Sequence, residues 1–358
     1  MSETVVDDLV AILPPLLQSL DTLGFVVRHL NPPDFALVME TAGAPDQALR
    51  AVRAKLSAWP EEFAHVRTPL DDACDATLSA YDGLRAVQRG DGDLMAVFRA
   101  LRYFPRAQEA IYPLTATLLP VSRFFLDPAT RDDESLLVRL AATPGEDTGI
   151  FHQQNDRGMR GGFSLYIPEY YTADRAWPLV VALHGGSGHG RQFLWTWLRD
   201  ARSHGAIVVA PTASGDTWAL TGDDIDTENL SRIVDTVRSR WNVDPNRLLL
   251  TGISDGGTFC YVTGLQDGSP FTHLAPIAAT FHPMIAEIAD PARLRQLPIY
   301  LVHGALDWMF PAEIARQARK ALTMAGAHVT YREIEDLSHT YPSEINPQLL
   351  RWLNDASA

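Results

Sequence analysis

The stretch Leu248-Leu249-Leu250-Thr251-Gly252-Ile253-Ser254-Asp255-Gly256-Gly257 constrains this chain more than any other. A continuous apolar run that stops at a glycine, presents one serine and passes two more glycines into Thr258-Phe259-Cys260-Tyr261-Val262 predicts a buried strand, a tight turn and a helix. A run apolar at every position fits a parallel strand covered on both faces, so the chain must supply a layer on either side of a sheet. In the turn pattern G-x-S-x-G a nucleophilic serine sits on strained backbone, and side chains two positions before and after it would strike neighbouring backbone. The bare pattern arises by chance in roughly one chain in ten of this length, so its surroundings carry the reading.

Those surroundings are of the right kind. Gly149-Ile150-Phe151-His152 and Gly162 to Pro168 alternate with period two and predict an opening antiparallel hairpin. Strand and helix patterns then take turns. Strands are expected over 178–183 and 206–210, in the Leu248 run, and over 274–279, 299–302 and 328–334; helices over 192–204, 227–241, 313–325 and 347–354. This alternation predicts an α/β domain with a mostly parallel, doubly wound sheet over residues 144–358.

Residues 1–143 read differently. Leu49, Val52 and Leu56, and again Leu94, Val97, Phe98 and Leu101, recur three and four apart, which predicts an all-α domain of five to seven helices. Turn formers over 142–147 mark the join. Asp91-Gly92-Asp93 reads as a turn with a helix cap, and Arg89-Gly90-Asp91 as part of the same turn. The aromatic group Tyr103, Phe104, Tyr112, Phe124 and Phe125 reads as domain core or interdomain contact.

A formal charge of −14 excludes the basic footprint that nucleic acid or an anionic membrane surface needs. The two cysteines, Cys74 and Cys260, fall in different expected domains, so no disulfide framework is expected. Met1 to Asp8 carries acid where a secretory signal carries base, and the apolar segment after it is interrupted by Pro14 and Pro15. These features predict a cytoplasmic protein with no transmembrane segment.

In a doubly wound sheet the working residues collect at the carboxyl ends of strands. The loop Leu183-His184-Gly185-Gly186-Ser187-Gly188-His189-Gly190 has no phosphate-loop lysine and no dinucleotide spacing. Beside Ser254 it reads as an oxyanion hole, with the N–H groups of Gly186 and Asp255 as donors and His184 pinning the loop. After the strand at 299–302, Asp307 is placed to orient an imidazole, and after the last strand His339 supplies one. The order Ser254, Asp307, His339 gives the roles: His339 takes the serine proton, Asp307 fixes its tautomer, and Ser254 attacks a carbonyl. Gly185, Trp218, His282 and Trp308 are candidates for the substrate pocket, each tryptophan serving either as a wall or as a shield over the core. His303 is expected to pack or hydrogen-bond beneath the acid loop. Asp223, Asp224 and Asp226 lack companion ligands for a metal, and Asp226 is read as a helix cap.

With these motifs in order, the segment from about Gly162 to Leu353 resembles the phospholipase/carboxylesterase group of α/β-hydrolases, with kinship to the dienelactone-hydrolase, polyhydroxybutyrate-depolymerase and feruloyl-esterase branches. The matching residues are Leu183-His184-Gly185-Gly186, Trp241 to Arg247 leading into Gly252-Ile253-Ser254-Asp255-Gly256-Gly257, His303-Gly304 with Asp307 and Pro311, and Ser338-His339. The resemblance implies an α/β-hydrolase fold behind an all-α N-terminal domain. It also implies cofactor-free, metal-free hydrolysis of a small-molecule carboxylic ester through an acyl-enzyme. A thioester or a peptide is the alternative substrate for the same triad. The chain is expected to depart from the secreted branches in lacking their export signal and disulfides. The first 140 residues carry no such resemblance; they are expected to roof the active site or to bind another chain, and a homo-oligomer is left open.

Overall fold

The computed structural model describes residues 3–142 and 145–355. The chain divides into two compact units, Met1–Asp133 and Glu134–Ala358. The expected linker residues Thr143 and Pro144 lie outside the described residues, and the helix before them groups with the second unit.

Among its described residues the first unit is built of helices: α1 (Glu3–His29), α2 (Phe35–Ala42), α3 (Asp46–Arg53), α4 (Ala64–Gln88), α5 (Leu94–Leu101), α6 (Tyr103–Ile111) and α7 (Leu119–Phe124), joined by short 3-10 turns. Asp93 caps α5, its carboxylate accepting the Ala96 N–H at 3.0 Å, and Gly90 turns the chain after α4 at φ +95°. The rings of Tyr112, Phe124 and Phe125 meet edge to face in the core. Buried Asp46 at the start of α3 is held by the Arg50 and Arg85 guanidiniums.

One expectation is corrected here. Pro14 and Pro15 do not interrupt the apolar segment, because α1 runs through both. Each proline withdraws the hydrogen bond to the carbonyl four residues back. The carbonyls so released belong to Val10 and Ala11, and Val10 is 69% exposed, so water reaches that side of the helix. The opposite stripe, Val5, Leu9, Ile12, Leu16, Leu20 and Leu23, keeps helical spacing and is buried. By length and composition alone α1 could cross a membrane, and 39% of its apolar window is buried in the structure.

The second unit opens with α8 (Glu134–Ala141) and forms one eight-stranded sheet from β1 (Gly149–Gln153), β2 (Phe163–Ile167), β3 (Trp177–Leu183), β4 (Ile207–Pro211), β5 (Val243–Ile253), β6 (His273–Ile277), β7 (Pro298–Gly304) and β8 (His328–Ile334). Their order across the sheet is β1-β2-β4-β3-β5-β6-β7-β8. β1 pairs with β2, and β2 with β4, antiparallel; every later pairing is parallel, as the strand and helix alternation predicts. Between the strands run α9 (Gly190–Phe193), α10 (Trp195–His204), α11 (Ile225–Arg240), α12 (Asp255–Gly264), α13 (Met284–Ile288), α14 (Pro291–Gln296) and α15 (Ala312–Met324), and α16 (Asn346–Asp355) closes the chain.

Burial explains why β3 and β5 read as unbroken apolar runs. Leu179, Val181 and Leu183 pack in one cluster with Leu248, Leu250 and the α11 residues Leu230, Ile233 and Val237. Val180 and Leu249, pointing the other way, are equally buried. Each such side chain contributes about 2 kcal/mol on leaving water. From β3 the chain moves outward to β4 and then crosses back to β5. The loops after β3 and β5 therefore leave in opposite directions and open a crevice at the carboxyl edge of the sheet.

Candidate active site

Ser254 stands where β5 gives way to α12, at φ +57° and ψ −121°. A side chain rarely tolerates this backbone region, so the strain must be held from outside. The Ser254 N–H donates to Ile277 O at 3.0 Å at the end of β6, and Ser254 O accepts from Thr258 N–H in the first turn of α12. The glycines are dictated by the same turn. A Cβ on Gly252 would stand 2.7 Å from the Gly256 carbonyl, and one on Gly256 would stand 2.4 Å from His184 O. The two positions crowd each other and the neighbouring β3 strand, which is the physical content of the pattern.

The loop after β3 lies against this turn. A Cβ on Gly185 would be 3.5 Å from Ser254 Cβ, and one on Gly186 would be 2.7 Å from the Asp255 carboxylate. His184 is buried and pins the loop from beneath: Nδ1 donates to Gly185 O at 2.7 Å and Nε2 accepts the Ala213 N–H at 3.1 Å. Burial pushes its imidazole down to about 4, so both contacts are those of a neutral ring. Ser187 N–H goes to Asp216 O and Gly188 N–H to Gly185 O, each at 3.0 Å. Among the hydrogen bonds of the described residues, neither Gly186 N–H nor Asp255 N–H donates to a protein acceptor. For Asp255 this follows from its place as first residue of α12.

Past the carboxyl ends of β7 and β8, Asp307 and His339 meet. His339 Nδ1 lies 2.8 Å from Asp307 Oδ2. Asp307 Oδ1 accepts the N–H groups of Met309 at 2.9 Å and Phe310 at 2.8 Å. His303 Nε2 stands 2.7 Å from Phe310 O and 3.3 Å from Asp307 Oδ2, so that nitrogen faces two acceptors and carries the proton. Burial alone would raise the Asp307 carboxyl. The bonds from His303, His339 and Phe310 N–H outweigh it and hold the group well below the usual carboxylate range. The Asp307 and His339 loops are tied together by main-chain bonds, Ala305 N–H to Ile334 O and Leu306 N–H to Leu337 O, both at 2.9 Å. A Cβ on Gly304 would come within 2.2 Å of Leu337 O, so this contact too requires glycine.

No family model matches the chain. A bifunctional acetylxylan esterase/xylanase of Neocallimastix patriciarum is 31% identical over 158 residues, which is 43% of this chain and 22% of that protein. Acetylxylan esterase A of Emericella nidulans is 26% identical over 132 residues, 34% of this chain and 42% of that protein. The chain thus matches less than half the length of either relative. A truncated carbohydrate esterase from gut microbiota shares the backbone course with TM-score 0.50 at 14% identity, over 60% of this chain and 98% of its own. With the sheet order, this decides the architecture. The second unit has the α/β-hydrolase fold.

Within the α/β-hydrolase unit the remaining candidates fall in different places. Trp218 is 2% exposed, stacks on Phe259 with centroids 5.4 Å apart, and donates its indole N–H to His184 O at 2.7 Å. It therefore sits in the core and supports the β3 loop. Trp308 lies at the surface, its ring 6.5 Å from that of His339. His282 is exposed before α13, where Nδ1 accepts the Met284 N–H at 3.2 Å.

Helix capping at α11 falls to Asp224, which accepts the Thr227 N–H at 3.0 Å, and not to Asp226 as the sequence suggests. Asp226 is buried and accepts the N–H groups of Ser214 and Ala219, each at 2.9 Å, bracing the loop after β4. Sequence reasoning missed two further supports of the candidate site. Arg160 bridges Gly188 O and Gly215 O at 2.7 Å each, and Thr217 donates to Asp255 Oδ2 at 2.5 Å. Arg160 and Thr217 join segments 28 to 55 positions apart, and like Asp226 they act through main-chain or lone side-chain partners, so no local pattern announces them.

Proposed function

We propose that the protein is a serine carboxylic-ester hydrolase working through an acyl-enzyme. The observation that carries the reading is the Asp307 Oδ2 to His339 Nδ1 bond, on the loops after β7 and β8 of a sheet whose β5 ends in a positive-φ serine. With Nδ1 facing a carboxylate, His339 keeps its proton there and offers the Nε2 lone pair. Nε2 takes the Ser254 proton as Oγ attacks the ester carbonyl. The carbonyl oxygen, gaining charge, is met by the N–H groups of Gly186 and Asp255. Asp307, kept ionised, stabilises the imidazolium until its proton passes to the leaving alcohol; water then repeats the sequence on the acyl-enzyme. The chemistry needs no cofactor. Both curated relatives act on acetylated xylan by name, which supports a short acyl group as substrate.

The test is Ser254→Ala, assayed with nitrophenyl acetate and with longer acyl esters. Turnover should fall by about 10⁴-fold or more, because the serine and histidine act as one unit. A correctly folded Ser254→Ala protein keeping a tenth of the activity would sink the assignment.

A further inference from the structure

We propose that the loop carrying Asp307 also seats the departing alcohol, with the Trp308 indole as platform for a ring on that alcohol; this rests on the hydrolase reading above. In the tetrahedral intermediate the ester carbon is bonded to Ser254 Oγ, and its oxyanion points to the N–H groups of Gly186 and Asp255. The carbon–oxygen bond to the alcohol breaks as His339 Nε2 gives its proton to the leaving oxygen, which restores the carbonyl on the acyl-enzyme and the neutral imidazole. The alcohol therefore departs against the imidazole, and the side chains flanking that ring meet it. The acyl group extends in the remaining direction.

Two aromatic rings flank His339. Phe310, half-buried, meets it edge to face at 5.1 Å and 88°, and its own main chain is taken up by Asp307 and His303. Trp308 meets it at 6.5 Å and 74° but is 44% exposed. Trp308 is not alone: Leu306 is 47% and Met309 46% exposed, while Asp307 between them is turned inward. Three large apolar side chains held in water within four consecutive positions, on the loop that carries the acid, mark a surface made to meet something. The Trp308 indole N–H has no protein acceptor among the described residues, whereas that of Trp218 is bonded to His184 O. Trp308 thus offers a flat apolar face and an open donor beside the leaving oxygen. That suits an alcohol with a ring face and a further oxygen, a sugar or a phenol.

The experiment compares kcat/KM of the full chain, Trp308→Ala and Trp308→Phe on acetates of methanol, phenol and methyl xyloside, and on phenyl esters of rising acyl length. In Trp308→Ala the ratio of ring-alcohol to methyl acetate should fall about tenfold, chiefly through KM, the size of one lost aromatic contact. The acyl-length preference should hold, and Trp308→Phe should recover most of the loss. A larger loss on the xyloside assigns the seat to a sugar, and on the phenol to an aryl alcohol. An equal loss on all three alcohols, or a changed acyl preference, overturns the proposal. A wild-type protein inert towards every ester overturns the hydrolase reading itself.

Discussion

Two strands of the sheet end in the same dipeptide, and the protein uses it in opposite ways. β3 ends at Leu183 and continues His184-Gly185; β7 ends in His303-Gly304. After β3 the histidine packs its ring against Trp218 with centroids 4.9 Å apart and hydrogen-bonds main chain alone, Gly185 O and Ala213 N–H, and burial keeps it neutral. After β7 the histidine presents its N–H to Phe310 O and to an ionised carboxylate. The first loop is braced through its backbone; the second is built around a charge. A dipeptide at a strand end thus says that the strand ends there, and the partner four to thirty residues on says what the end is for.

The largest effect should come from the charged side. In Asp307→Asn, Oδ1 accepts two main-chain N–H groups, so the amide must place its oxygen there and its NH₂ where Oδ2 stood. The NH₂ then faces His339 Nδ1, which must accept, and the imidazole proton moves to Nε2, the atom that takes the serine proton in the proposed mechanism. The turnover number should fall by about 10⁴-fold with the fold retained, read by steady-state kinetics beside circular dichroism. Activity within tenfold of wild type would move the acid elsewhere.

The backbone side should fail through packing instead. Gly256→Ala sets a Cβ 2.4 Å from His184 O and 2.6 Å from Leu183 O, both main-chain atoms that cannot swing aside. It should cost about 3 kcal/mol of stability or prevent folding, measured by denaturant melts. A Gly256→Ala protein of wild-type stability would show that the β3 loop is far more pliant than its bonding suggests.

What the sequence made legible follows from the same contrast. The glycine pattern, the alternating strands and the places of Ser254, Asp307 and His339 at strand ends could be read because each is local: an apolar run, a turn residue, a polar side chain just past a strand. Asp226, Arg160 and Thr217 could not, since each binds main chain or a side chain brought near only by folding. Trp218 and Trp308 were indistinguishable as tryptophans on loops, and only burial separates one as support from the other as surface. In the helical unit the error over Pro14 and Pro15 has the same origin. Proline in a helix costs less where the carbonyl it releases and pushes aside can turn to water, and the exposure of Val10 is not written in the local sequence.

Acid should separate the two loops by pH. His184 has its folded pKa lowered from 6.5 to about 4, so the unfolded chain binds the extra proton and stability falls as pH drops from 6.5 towards 4. The full loss is about 3 kcal/mol. Asp307 is depressed from 3.8, so its stabilisation persists above that value and is lost only as pH falls further. His273, buried and also lowered to about 4, adds to the first window, so the reading is a difference. His184→Gln should flatten the slope of unfolding free energy between pH 6.5 and 4 relative to wild type. An unchanged slope would mean that His184 is not held neutral.

The smallest effect tests whether the second histidine positions the acid or merely fills space. His303 is 1% exposed, and its Nε2–H is the one side-chain donor besides His339 that reaches Asp307 Oδ2 among the described residues. Losing it leaves Oδ2 held by His339 alone and frees the carboxylate to rotate about the two bonds on Oδ1. His303→Ala should lower the turnover number by about tenfold, the cost of one hydrogen bond to a charged group, with KM nearly unchanged because no substrate atom is touched. His303→Gln, whose amide NH₂ reaches the position of Nε2, should recover part of the loss. A cavity alone would lower stability in both variants and leave the turnover of the folded fraction intact. If His303→Ala keeps its turnover number once folded protein is counted, or if Gln does no better than Ala, then His303 fills space as His184 pins backbone, and the two strand ends differ only in the acid.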